Sequence, residues 1–172
     1  MLALQKREAL FGLVPSEFET LARVNEELAK LGTLYSLYER VRHAVTSFSE
    51  LLWIAVPAHM ASMVSTFKDF QKELQLLSAA VRSWQAYTEM TSTVESYLST
   101  LPALEPLCDS LIRKRHWTII LNAAGTTYPP ALLEADSLKL KHVVALNPAN
   151  MRAEIKAIAH MARTEADVER RV

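Results

Sequence analysis

Apolar residues recur through the middle of this chain at alternating steps of three and four: Met60, Met63, Phe67, Phe70, Leu74, Leu77, Val81 and Trp84. On an α-helix that spacing gathers the side chains onto one narrow face, whereas on a strand it would scatter them over both. The row continues through Tyr87, Met90, Val94, Tyr97 and Leu101. It predicts either one helix of about 40 residues or two with a bend near Ser83–Thr88. Pro57 suits the first turn, where its missing N–H costs nothing. Leu101-Pro102 is expected to stop the run. A helix that long suits a rod better than a compact domain.

A similar row precedes it. Ser16 with Glu19 is a capping-box pattern, and Leu21, Val24, Leu28, Leu31, Tyr35, Tyr38 and Val45 then fall at helical spacing, with Val41 near the missing step. The opposite face carries Glu17, Arg23, Glu26, Glu27, Lys30, Glu39 and Arg40. This predicts a helix to about Phe48, with Tyr35 and Tyr38 as core anchors. Beyond Pro102 the elements shorten. Leu104–Ile112 reads as one short helix and Arg115–Ala124 as another, closed by Gly125 as a C-terminal cap. Ala131–Leu146 reads as either a short strand or a helical turn. Asn147-Pro148 signals the start of a last helix through Met151, Ile155, Ile158, Ala162, Glu165 and Val168.

With only 3 glycines in 172 residues, the chain lacks the turn-formers that hairpins and phosphate loops consume. The fold class read from these patterns is all-α. It is expected to be an elongated antiparallel helical bundle with long rod-like helices and a C-terminal group of shorter ones. Trp53, Trp84 and Trp117 read as core anchors where helices cross. The last helix stops mid-pattern and without a cap, which suggests a piece of a longer chain.

Several functions find no support. The net charge is zero, so no overall field attracts nucleic acid or an anionic membrane. The cluster Arg113-Lys114-Arg115-His116 reads as a solvated helix start or an internal salt-bridge site rather than a nucleic-acid patch. A lone Cys108 cannot form an internal disulfide, which points to a reducing compartment. The opening residues meet charge too early for a signal peptide, and no apolar run is long enough to span a membrane. A soluble intracellular protein is therefore expected. His43, His59, His116, His142 and His160 are dispersed, without a partner ligand at helical spacing, so no metal site is expected. Neither catalysis at Cys108 nor nucleotide binding at Ala123-Ala124-Gly125-Thr126-Thr127 has the required residues. No catalytic residue, cofactor or small-molecule ligand is expected.

The run Pro102-Ala103-Leu104-Glu105-Pro106-Leu107-Cys108-Asp109-Ser110-Leu111-Ile112-Arg113-Lys114-Arg115-His116-Trp117 resembles the signature of the dynein heavy chain linker. In that family a proline and leucines precede a basic residue, a spacer and Arg-His-Trp. Ile120, Gly125 and Tyr128 follow in register, and Ala162, Glu165, Val168 and Glu169 resemble the family's later acidic pattern. Upstream, Leu10-Phe11, Phe18, Leu28, Leu31, Leu34-Tyr35 and Tyr38 resemble the helix before the linker's long rod. Three positions depart from the pattern: Thr164 replaces a usual lysine, Ala124 a frequent threonine, and Pro106 an apolar residue.

The resemblance implies that residues 1–172 are a fragment of that linker. Its long-helix part would be about 8–101, and its Arg-His-Trp part about 102–172. The structural signature carried over is Pro102, Leu107, Arg113, Arg115, His116, Trp117, Gly125, Ala162, Glu165 and Glu169. Such a linker is a non-catalytic arm joining the ATPase ring to the tail, its partners in the same heavy chain. It transmits ATP-driven conformational change in microtubule-based movement, in the cytoplasm and cytoskeleton; the stretch before Leu34-Tyr35 looks more like the axonemal group, which points to the axoneme of a cilium or flagellum. Bending would concentrate at Trp53–Pro57, Ser83–Thr88 or Leu101–Pro102. Trp117 is expected to be buried and Arg115 to meet a carboxylate or helix-end carbonyls. The other reading is a stand-alone helical adaptor that binds a partner helix along Phe67–Trp84.

Overall fold

The computed structural model describes residues 10–11, 19–129 and 137–171. Among the described residues seven α-helices are placed in order: α1 (Glu19–Ser49), α2 (Val56–Leu76), α3 (Ala79–Arg82), α4 (Gln85–Leu104), α5 (Lys114–Ala123), α6 (Leu140–Val144) and α7 (Arg152–Glu169). Short 3₁₀ turns stand at Trp53–Ala55 and Glu105–Cys108. The fold is all-α, and β-pairing among the described residues is limited to one antiparallel bridge, Leu52 with Lys139. The capping-box residue Ser16, Glu17 of the charged face, Phe18 of the resemblance, and residues 131–136 of the ambiguous segment lie outside the described residues.

The long helices meet around Phe67, which is fully buried. Its ring stacks on Tyr97 of α4 at 4.6 Å and tilts against Phe48 of α1 at 6.0 Å. Arg40 of α1 grips Glu73 of α2 with both terminal nitrogens, at 2.7 and 2.9 Å, and lies 5.5 Å over the Phe70 ring. Pairing residue 48 with 67 and residue 40 with 73 means that α1 and α2 run antiparallel. Met63, Phe67, Phe70, Leu74 and Val81 of the central row are all buried.

Several expectations need correction. In α1 the buried residues are Leu34, Leu37 and Val41. Tyr35 is 51% exposed and is not a core anchor, and Tyr38 is only half-buried, tilted against Tyr35 at 6.2 Å. One residue is about 100° on a helix, so the face that packs is turned from the expected one by more than a quarter-turn. The central run is not one rod, and of its two readings the one with a bend near Ser83–Thr88 holds. It breaks at Leu77 and Ser78, where ψ is 147° and 152°, and again at Trp84, where ψ is 141°. Arg82 holds the first break closed by donating to the carbonyls of Gln75 (2.7 Å) and Leu77 (3.2 Å), which the end of α2 leaves free.

Pro102 does not stop its helix. It sits exposed in the last turn of α4, where it forfeits one hydrogen bond rather than breaking a long ladder. The expected helix from Leu104 to Ile112 is only the 3₁₀ turn Glu105–Cys108. Asp109 then captures the Leu111 N–H at 3.1 Å, an Asx turn that competes with further winding. The final helix starts at Arg152, later than Asn147-Pro148. Asn147 itself adopts φ 56°, the left-handed region asparagine tolerates, and the chain makes a turn before winding.

Candidate functional site

The short helices α5 and α7 meet through an ionic clasp built on the Arg-His-Trp turn. Arg113, extended at φ −102° and ψ 169°, is the N-cap of α5. A helix start leaves backbone N–H groups without partners, and an Asp, Ser or Glu side chain usually accepts them. Here the acceptor is a histidine: the Arg113 N–H donates to His116 Nδ1 at 2.9 Å. Nδ1 must therefore be the unprotonated nitrogen, and the ring proton sits on Nε2. That nitrogen donates to Glu165 Oε2 of α7 at 3.1 Å. His116 is 1% exposed, and both of its nitrogens are satisfied.

Around this ring the charges interlock. Arg113 binds Glu169 with both terminal nitrogens, one at 2.8 Å and the other shorter. Arg115 pairs closely with Glu165 and reaches Glu169 at 3.4 Å. Glu165 and Glu169, one turn apart on α7, thus face two guanidinium groups and an imidazole. Both carboxyls are held below their ordinary range. For Glu165 the main cause is the His116 bond, with Arg115 adding to it; for Glu169 it is Arg113, then Arg115. Further along α7, Arg163 Nε donates to Asp109 at 2.9 Å. The Leu111 N–H and then Arg163 lower that carboxyl as well.

Beneath the clasp the packing is apolar and close. Ile155, Ile158, Ala159, Ala162 and Ala166 form the buried face of α7. Trp117 is 6% exposed, its ring meeting Trp53 edge-on at 5.4 Å and 89°. Trp53 is fixed in turn, because its N–H donates to the Leu138 carbonyl at 2.7 Å while the Leu140 N–H donates to Leu51 at 2.9 Å. Glu50 locks the same crossing by accepting Lys139 at 2.7 Å and Lys141 at 2.6 Å, which pulls its carboxyl down to about 2.

The structure brings together Arg113, Arg115, His116, Trp117, Ala162, Glu165 and Glu169, with Trp53 on the far side of Trp117. Leu107 is buried in the same core. Pro102 and Gly125 stand apart. Gly125 has φ 64° and closes α5: its N–H donates to Asn122 at 3.1 Å and the Thr126 N–H to Leu121 at 3.0 Å. Trp84 is half-buried, at the start of α4. Sequence reasoning missed the roles of Asp109, Arg163, Glu50 and His142. His142 had a signal, since Lys139-Leu140-Lys141-His142 repeats the basic-x-basic-His order of Arg113–His116. It does the same work, accepting the Lys139 N–H on Nδ1 at 3.1 Å. Burial and the neighbouring lysines lower its basicity.

Chemically the arrangement fastens helices together. Cys108 is half-buried and its thiol is pushed up to about 11, mainly by burial and then by Glu105, so little thiolate forms at neutral pH. Among the described residues no three His, Cys, Asp or Glu converge as metal ligands, and no helix is long and apolar enough to cross a membrane.

Comparison with known proteins gives this geometry a family. The model of "Dynein heavy chain, N-terminal region 2" matches residues 21–172. Dynein axonemal heavy chain 8 of Mus musculus is 27% identical over 162 residues, 94% of this chain and 3% of that protein. The flagellar outer-arm dynein gamma chain of Chlamydomonas reinhardtii is also 27% identical, over 94% of this chain and 4% of its own length. The ciliary dynein beta chain of Tripneustes gratilla is 26% identical over 99% of this chain and 4% of its own. The chain thus spans only a few hundredths of the length of these relatives. It belongs to the dynein heavy chain N-terminal region 2 family.

Proposed function

We propose that this chain is a non-catalytic mechanical segment of a dynein heavy chain linker, carrying ATP-driven movement of the motor ring toward the tail. The observation that carries the reading is the clasp. Arg113, Arg115 and His116 tie the start of α5 to Glu165 and Glu169 on α7, directly over the Trp53–Trp117 contact. Force crosses a joint without loss only where the joint cannot slip, and close-packed side chains bounded by multiple ion pairs resist slipping. In this reading the long-helix part, about 8–101, is the arm, and the part from 102 to 172 is the corner where it is fastened. Its partners are the ATPase ring and tail of the same heavy chain. Nucleic acid, membrane and small-molecule ligands have no role. The axonemal, flagellar and ciliary names of the relatives support placement in an axoneme.

The test is a gliding assay with a heavy chain bearing Arg113→Ala and Arg115→Ala. Microtubule displacement per ATP hydrolysed is expected to fall several-fold. Unchanged displacement per ATP, or ATP turnover by the 172-residue chain itself, would overturn the proposal. The adaptor reading loses its surface, because Phe67, Phe70, Leu74 and Val81 are buried inside this chain's own core.

A further inference from the structure

The first half of α1 carries an apolar row that the rest of the described residues leave uncovered. Leu21, Val24, Leu28, Leu31 and Tyr35 are each between 39% and 57% exposed, and every residue from 19 to 29 is exposed. Their three-four spacing is the pattern of a helix that packs lengthwise on another. The row lies about 100° around the helix from Leu34, Leu37 and Val41, which α1 spends on its own bundle. Helix α1 therefore presents two faces, and among the described residues only the second has a partner. Trp84, at the corner before α4, forms the side wall of a groove of about 310 Å³ against Arg23, Val24, Glu27, Leu28 and Leu31.

We infer that this groove seats an amphipathic helix from elsewhere in the same heavy chain, outside these 172 residues. Two observations favour that occupant over a second copy. First, the relatives are heavy chains of which this chain covers 3–5%, so most of the covalently linked chain lies outside the structure. Second, the row is short. From Leu21 to Tyr35 it spans about 21 Å and is one helix, about 10 Å, wide. That strip is a fraction of the ~800 Å² per partner in a standard interface between free proteins. A tethered segment needs far less area, since the covalent link supplies an effective concentration that a free partner must obtain by affinity. The inference rests on the heavy-chain reading above.

Hydrogen exchange of the amides of residues 21–31 tests it, comparing the heavy chain that carries this segment with the 172-residue chain. Slower exchange by at least tenfold in the heavy chain is the expected result. In addition, Leu28→Cys with a thiol–amine cross-linker should join this helix to a peptide of the same polypeptide. Equal, fast exchange in both proteins overturns the inference. So does protection in the 172-residue chain that grows with its concentration, since the occupant would then be a second copy. Cross-links only to other polypeptides overturn it as well. The gliding assay can fail while this exchange result stands, and the reverse, so the two proposals are separable.

Discussion

His116 occupies a position where either loss is felt twice. Its ring completes the cap of α5 on one side and ties α7 on the other. Trp117, next in the chain, is the larger energetic contributor because it is buried and edge-stacked on Trp53. Trp117→Ala is expected to cost about 3–5 kcal/mol in denaturant unfolding. A loss under ~1 kcal/mol would place Trp117 outside the core. The acidic partners give a pH dependence whose sign follows from their lowered values. Glu50, Asp109, Glu165 and Glu169 all titrate below their ordinary range when folded. Their stabilisation is therefore present above the unfolded carboxylate range and lost as pH falls through the folded values. For Glu50 that window runs from 4.5 down to about 2. Thermal unfolding scans across this interval should show Tm falling with pH, and Glu165→Gln should flatten the slope. Because Glu50 and Glu169 are exposed and Asp109 and Glu165 are only partly buried, added salt should weaken the effect. Much of this cluster was legible in the sequence, since Arg113–Trp117 and Glu165–Glu169 fall in a recognisable order. The Asp109–Arg163 pair was not, because nothing local links residues 54 apart.

At the scale of the element, α1 is instructive. Leu31, Tyr35 and Tyr38 form one row at helical spacing, and Leu34, Leu37 and Val41 form another beside it. Periodicity identifies the helix but cannot tell which of two adjacent apolar rows faces the bundle; the packing partner decides that. The two rows should separate clearly by mutation. Leu34→Ala is expected to cost about 2–5 kcal/mol, and Tyr35→Ala only about 0.5 kcal/mol or less, both by chemical denaturation. Similar losses at the two positions would refute the assigned phase. The break at Leu77–Ser78 was equally invisible to spacing, because the apolar row continues across it, whereas the one at Trp84 falls within the bend expected near Ser83–Thr88. What marks the first break is Arg82, whose guanidinium covers the Gln75 and Leu77 carbonyls. Arg82→Ala should speed amide exchange in residues 77–84 while leaving α2 near Phe67 protected.

Over the whole molecule the apolar core is continuous. It runs from Leu34 and Phe67 among the long helices to Trp117, Leu140 and Ile155 among the short ones. Arg152 adds a polar stitch, donating to the Ser99 carbonyl across α7 and α4 at 2.6 Å. A shared core predicts one cooperative transition. Far-ultraviolet circular dichroism and tryptophan fluorescence should report the same denaturation midpoint, whereas two separated midpoints would mean that the regions flanking Pro102 fold independently.

The shared imidazole has one more consequence. Because a single ring both terminates the first turn of α5 and reaches across to α7, these two bonds cannot be altered independently. Sliding α7 away would either strand a buried ring proton or drag the imidazole off the Arg113 amide. Tension between neighbouring helices would then register as unwinding at the very first residues of α5.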